Sequence, residues 1–255
     1  MLSNSQIKLI RSLEQKKYRN IHGLYVAEGE KIVFEILEAN VSYEKVFVTE
    51  KWIKKHKDLF KKNEQSITII SDTELNKISF LHTPNEALAL MPIQYPNIKN
   101  IDVSDRLILA LDQIQDPGNM GTIIRIADWF GIDAIVCSEN CVDVYNPKVI
   151  QATMGAFLRV KAYYTQMIDF LKEQKSNNLP IYGATLNGEI IYTTKLTDYG
   201  IILMGNESKG IDENLLSLID KPLFIPKYGG AESLNVSVAT GIICSEFVRR
   251  KLNAN

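Results

Sequence analysis

The stretch Leu109-Ala110-Leu111-Asp112-Gln113-Ile114-Gln115-Asp116-Pro117-Gly118-Asn119-Met120-Gly121-Thr122-Ile123-Ile124-Arg125 decides how this chain is read. It opens as a short apolar run suited to a strand buried on both faces of a parallel sheet. Pro117-Gly118 makes a tight turn, and Asn119 is placed to cap a following helix over Gly121–Phe130. Met120, Ile123, Ile124 and Ala127 recur at helical spacing and supply its buried stripe. Arg125 projects from a different face. Taken alone, the spacing also describes a crossover helix with a solvated arginine.

Moving toward the carboxyl terminus, the same alternation repeats. Leu107–Leu111, Ala134–Cys137, Ile181–Thr185, Ile201–Met204 and Leu223–Ile225 read as strands. Helical stretches lie between most of them: Pro147–Met154 with Asn146 as cap, Thr165–Lys175, Asp212–Leu218 and a closing Val236–Leu252. Strand–helix alternation of this kind predicts an α/β fold with a mostly parallel sheet. Moving toward the amino terminus, Ser5–Lys16 and Glu30–Glu38 carry helical periodicity, and Leu24–Glu28, Val46–Thr49 and Ser66–Ile70 read as strands. A segment with Pro92, Pro96, Asn97 and Asn100 interrupts the pattern. The division is a small α/β domain over 1–97, a linker at 98–104 and a larger domain over 105–255.

Composition sets outer bounds. The chain has 255 residues, 45% hydrophobic and 23% charged, so it holds enough apolar material for real cores. No apolar run reaches the roughly 18 residues that span a bilayer. The first residues lack the apolar stretch and cleavage site of a signal peptide, and a cytoplasmic protein is expected. Cys137, Cys141 and Cys244 are too few and too unevenly placed for a disulfide framework, and His22, His56 and His82 offer no ligand spacing beside them. Buried thiols and no metal are expected. Residues 1–100 hold 15 basic against 12 acidic side chains, and residues 101–255 hold 14 against 18. Net charge near zero does not exclude nucleic acid, because a local patch steers binding.

Two further loops leave strands and carry unusual residues. Met204-Gly205-Asn206-Glu207-Ser208-Lys209-Gly210 is glycine-rich with one carboxylate, but it lacks the Gly-Lys-Ser/Thr of a phosphate loop. Ile225-Pro226-Lys227-Tyr228-Gly229-Gly230-Ala231-Glu232-Ser233-Leu234-Asn235-Val236 runs through a Gly-Gly turn into the last helix, with Ser233 and Asn235 as cap candidates.

Together the three loops resemble the SpoU/TrmH family of the SPOUT RNA methyltransferases. The resemblance covers about residues 105–250. It rests on Asn119, Gly121 and Arg125, then Gly205, Glu207 and Gly210, then Ile225-Pro226 with Ser233-Leu234-Asn235-Val236. Lys17-Tyr18-Arg19 and Tyr25-Val26-Ala27-Glu28-Gly29-Glu30-Lys31 resemble that family's substrate-binding domain. Ser208 and Lys227 depart from the usual pattern.

The resemblance implies a deep trefoil knot in the carboxyl-terminal part of the sheet. It also implies S-adenosylmethionine, held in the knot loops, as methyl donor to a ribose 2′-hydroxyl of RNA, with 23S ribosomal RNA as substrate. The alternatives are a transfer RNA substrate, or a non-catalytic RNA-binding protein of ribosome assembly. Carried over, Arg125, Asn119, Glu207, Ser233 and Asn235 form the catalytic set. Gly205, Ile225 and Leu234, with Thr185 and Leu186, contact the cofactor. The family assigns Arg125 as general base, which sits awkwardly with a guanidinium that stays protonated; an oxyanion or phosphate clamp is the physically easier role. Lys17, Arg19, Lys54 and Lys55 are the expected RNA contacts, within a lysine-rich stretch that interleaves Trp52 and Phe60. The family acts as homodimers joined through the last helix.

Overall fold

A computed structural model of the protein describes residues 2–132 and 134–253. The chain folds as two compact units: residues 1–94 with 143–158, and residues 95–142 with 159–255. Residues 143–158 lie inside the carboxyl-terminal span expected from sequence, yet they pack in the first unit.

In the first unit, α1 (Asn4–Ser12) and α2 (Lys16–His22) precede β1 (Leu24–Glu28), α3 (Glu30–Glu38) and β2 (Lys45–Val48). Helices α4 (Glu50–Lys55) and α5 (Lys57–Asn63), strand β3 (Ile67–Ile69), helix α6 (Asp72–Ile78) and strand β4 (Ala87–Pro92) follow. The sheet order is β1-β4-β2-β3; β4 pairs antiparallel with β1 and β2, and β2 pairs parallel with β3.

The helix expected over Ser5–Lys16 ends at Ser12 as α1, and α2, absent from the sequence reading, begins at Lys16. The break has a visible cause: the carbonyls of Leu13 and Glu14 accept hydrogen bonds from the Arg19 guanidinium. Strand β4 is absent from the sequence reading: Ala87–Met91 is an apolar run buried on both faces, but two of its five residues are alanines, which weaken the strand signal. Pro92 ends it where no further ladder donor is needed.

The second unit holds a six-stranded, all-parallel sheet: β5 (Leu107–Leu111), β6 (Ala134–Ser138), β7 (Lys161–Thr165), β8 (Ile181–Ile190), β9 (Gly200–Met204) and β10 (Lys221–Phe224). Their spatial order is β10-β8-β9-β5-β6-β7. The mostly parallel sheet read from the sequence is found, apart from the edge strand β7, whose mixed pattern Lys161-Ala162-Tyr163-Tyr164-Thr165 hid it. Helix α7 (Pro117–Trp129) follows β5, and α8 (Pro147–Thr153), capped by Asn146, belongs to the first unit. Helix α9 (Met167–Ser176) and the short α10 (Glu213–Leu216) close an apolar cluster with the sheet through Met167, Phe170, Leu171 and Leu215. The last helix, α11 (Val236–Asn253), packs along α7. Glu246 fastens its end by accepting from both Arg249 and Arg250, and Arg250 also donates to the carbonyls of Ile191 and Thr194.

Strand β8 is longer than expected because it is two pieces. Lys221 and Pro222 pair with Tyr182 and Gly183, whereas Leu223 and Phe224 pair with Glu189 and Ile190. Residues 184–188 therefore bulge out of the ladder. No helix among the described residues is long and apolar enough to cross a membrane.

Candidate active site

All six strands of the second unit run parallel, so their carboxyl ends share one edge, where ligands of open α/β sheets bind. The three loops singled out in the sequence leave β5, β9 and β10 at that edge.

Helix α7 begins earlier than the sequence suggested. Its cap is Asp116, whose Oδ1 accepts from the Asn119 amide at 2.8 Å, and Pro117 occupies the first turn, where a missing N–H costs nothing. The cap expected at Asn119 thus moves three residues upstream. The Asn119 side chain is left available.

It is used at once. Asn119 Nδ2 donates to Glu207 Oε1 at 3.0 Å, and Asn119 Oδ1 accepts from Asn235 Nδ2 at 2.9 Å. Asn235 has only one way to face it. Its own Oδ1 accepts from the Ser237 amide at 2.9 Å and the Ser237 hydroxyl at 2.6 Å, at the start of α11. Its Nδ2 must therefore point outward, which turns the Asn119 oxygen toward it and the Asn119 nitrogen toward Glu207. Asn206 completes the chain: its Nδ2 donates to Glu207 Oε2 at 3.3 Å and to the carbonyl of Gln113 at 2.8 Å. One residue from each of the three loops is thus tied into a directional hydrogen-bond relay.

Arg125 and Ser233 stand outside it. Both are exposed, and among the described residues neither side chain has a hydrogen-bond or ion-pair partner. Arg125 lies six residues beyond Asn119, about 9 Å along the helix axis. Its apolar neighbours Met120, Ile123, Ile124 and Ala127 are buried as expected.

Gly205 ends β9, and its loop folds back tightly. A Cβ there would lie 2.3 Å from the backbone of Gly210 and Ile211. Asn206 and Gly210 exchange backbone hydrogen bonds, and Gly210 has a positive φ of 73°. The loop's own closure therefore accounts for both glycines. Thr185 and Leu186 fall in the bulge of β8, where Thr185 Oγ1 donates to the Asn187 carbonyl and Leu186 is 65% exposed. Ile225 follows β10 half-buried, and Leu234, 49% exposed, precedes Asn235.

Sequence reasoning missed Asn206 and Asp112. Asp112 ends β5, is buried, and accepts from the Asp212 amide at 3.1 Å; burial pushes its carboxyl above the ordinary range. An acid directly after an all-apolar strand was the available signal. Cys141 lies beneath the same loop, its sulfur accepting from the Ile114 amide at 3.3 Å, and all three cysteines are free and buried.

The expected RNA contacts in the first unit divide sharply. Arg19 is a correction: it is 1% exposed, donates from Nε and Nη2 to Asp143 Oδ2 at 3.1 and 2.6 Å, and cannot reach a ligand. Its largely polar sequence neighbours gave no sign of this, since the partner lies 124 residues away. Lys55 is exposed but held between Glu30 and Glu86, at 3.0 and 2.9 Å. Lys51 pairs with Asp72. Lys54 is exposed with no partner among the described residues, and Lys17 lies loosely over the Tyr18 ring. Trp52 is fully buried, so it is core and no stacking platform; Phe60 packs at the edge of the same core.

Residues 106–245 match the model of the SpoU rRNA Methylase family, and residues 4–89 match the MRM3-like substrate binding domain. The chain is similar to the 23S rRNA (guanosine(2553)-2′-O)-methyltransferase RlmP of Bacillus subtilis, 29% identical with 94% of each chain covered. It is similar in structure to a TrmH-family protein from Porphyromonas gingivalis, with a TM-score of 0.85 and 35% identity over 98% of this chain and 99% of that one. An AdoMet-bound rRNA methyltransferase from Sinorhizobium meliloti superimposes with a TM-score of 0.87 at 26% identity, over 98% and 96% of the two chains.

Proposed function

The chain belongs to the SpoU family of RNA methyltransferases, and from that premise we infer that it transfers a methyl group from S-adenosylmethionine to a ribose 2′-hydroxyl of 23S ribosomal RNA. The observation that carries this reading furthest is the relay Asn235–Asn119–Glu207, which draws all three family motifs to one edge of the sheet.

The cofactor's requirements suit the residues at that edge. Exposed Leu186 and Leu234 and half-buried Ile225 offer apolar surface to an adenine, and the tight turn after Gly205 holds backbone groups at the same edge. When bound, S-adenosylmethionine supplies an electrophilic methyl whose leaving group is a neutral thioether. The burden on the protein therefore falls on the ribose oxygen. A guanidinium serves as a fixed charge rather than a base, and Arg125 acts in that way. It clamps the phosphate beside the target ribose, aligns the hydroxyl in line and stabilises the oxyanion that develops as the hydroxyl proton passes to solvent water. An arginine without an internal carboxylate has that charge to give. Asn119, Glu207 and Asn235 position the loop from which α7 starts, and Ser233 lends a hydroxyl to the same pocket.

The same proposal includes the domain roles: residues 1–97 grip RNA, 98–104 link, and 105–255 carry the chemistry. It includes the trefoil knot, which membership of the family implies. It includes a homodimer joined through α11, where Phe130, Val238, Gly241, Ile242 and Ser245 line an open groove of about 690 Å³. A cytoplasmic setting suits three free, buried thiols.

Incubation with radiolabelled methyl donor and unmodified 23S rRNA transcript tests the reaction. Label should appear at one ribose 2′-oxygen, located by nuclease mapping. Label on a base, or on no RNA at all, would refute the reading.

A further inference from the structure

The buried arginine of the first unit points to a use for the helix that carries it. Helix α2 has seven residues, too few to hold as a helix without tertiary support. Of these only Arg19 is buried. Its guanidinium makes four hydrogen bonds, two to Asp143 and two to the carbonyls of Leu13 and Glu14. A buried ion pair gives little net stability relative to apolar packing, because desolvation offsets the attraction. What it does give is one fixed orientation.

The other six side chains of α2 all face solvent. Lys17 and Ile21, one turn apart, point away from Arg19, with Tyr18 and His22 beside them. Ile21 is 62% exposed and Tyr18 36% exposed. Among the described residues, Lys16, Lys17, Asn20 and His22 make no side-chain hydrogen bond or ion pair, and the helix bears no carboxylate. Glu14 precedes it, and Lys8 and Arg11 stand on α1. The surface thus combines uncompensated positive charge, an aromatic ring, an aliphatic side chain and an amide on a rigid mount. Lysine-rich α4, by contrast, spends Lys51 and Lys55 on internal acids.

We propose that α2 is a preformed contact for single-stranded RNA, in which Tyr18 stacks on an unpaired base, Ile21 packs beside it and Lys17 holds a flanking phosphate. Unstacked bases are sought by aromatic side chains, and phosphates by lysine. Fixing the helix in advance removes the ordering cost from binding. This rests on the reading of the chain as an RNA methyltransferase and adds where the substrate is gripped.

The test uses the full chain and unmodified 23S rRNA transcript, with binding measured by filter retention at several salt concentrations. Tyr18→Ala should weaken binding by about tenfold without altering the salt slope, and Tyr18→Phe should restore it. Lys17→Ala should reduce the salt slope by about one. Cofactor affinity and melting temperature should stay at wild-type values in all three. If Tyr18→Ala and Lys17→Ala bind as tightly as a wild-type protein that methylates the transcript, α2 is not the contact and the methyltransferase reading stands. A change in oligomeric state with RNA affinity intact would assign the face to a protein partner and overturn the proposal. A wild-type protein that neither binds nor methylates the transcript overturns both readings.

Discussion

Helices α7 and α2 each carry one arginine, and each treats it in the opposite way. Helix α7 buries Met120, Ile123, Ile124 and Ala127 and leaves Arg125 in solvent without a partner among the described residues. Helix α2 buries Arg19 and leaves Tyr18 and Ile21 outside. Thirteen residues with an apolar stripe stay helical by packing, so the arginine of α7 is free for a ligand. Seven residues with no stripe need another anchor, and the arginine of α2 is consumed in providing it. A cation near a family motif is therefore either a contact or a strut, and the presence of an acid within reach decides which.

The comparison breaks most visibly at Arg19. Arg19→Ala leaves the buried Asp143 carboxylate without its guanidinium, and should cost about 3–5 kcal/mol in urea unfolding. Replacing both partners, Arg19→Met with Asp143→Leu, should recover most of that loss. A single variant within about 1 kcal/mol of wild type would show that the pair is no strut. Arg125→Ala should do the reverse. Methyl transfer should fall by about 10²–10³-fold, as for loss of one oxyanion contact, with unfolding and cofactor binding unchanged. Retained turnover would return Arg125 to the status of a solvated helix residue.

Smaller effects sharpen the contrast. Asn119→Ala removes the middle of the relay and leaves one oxygen of Glu207 without its amide donor. The loss of a hydrogen bond to a charged group predicts about 1.5–3 kcal/mol, seen as a drop in kcat with cofactor affinity largely kept. An equal fall in melting temperature and kcat would make Asn119 structural only. The acid limb of stability offers a fourth measurement. The Arg249 guanidinium and then Arg250 hold the Glu246 carboxyl down to about 2, below its ordinary value of 4.5. The unfolded chain takes up that proton first, so stability from this group is complete above about pH 5 and is lost as pH falls toward 2. Glu246→Gln should flatten that part of the pH–stability curve; an unchanged slope would discount the fork.

Much of the fold was readable because parallel strands buried on both faces are continuous apolar runs, and their helices carry 3.6-residue periodicity. Leu107–Leu111 and Glu30–Glu38 were found at their observed bounds for this reason. Helix α2 went unread because its seven residues carry no apolar stripe and its anchor is a side chain that takes two carbonyls, which no local pattern records. The bulge at 184–188 was invisible because it is imposed by β10, some 35 residues further along. At the site, residue types and order identified Asn119, Glu207 and Asn235 together, but not that they touch, and not that Asn206 joins them.

The sequence by itself determined the alternation of strands and helices, the three loops and the kind of chemistry they resemble, because these depend on period and on short spacings. Only the tertiary structure decided that Arg19 is a strut while Arg125 has no partner among the described residues, that Asp116 caps α7 so that Asn119 can face Glu207, and that Trp52 belongs to the core. Each of those turns on whether a polar group meets its partner across the fold, and such a partner lies dozens of residues away, beyond the reach of any local pattern.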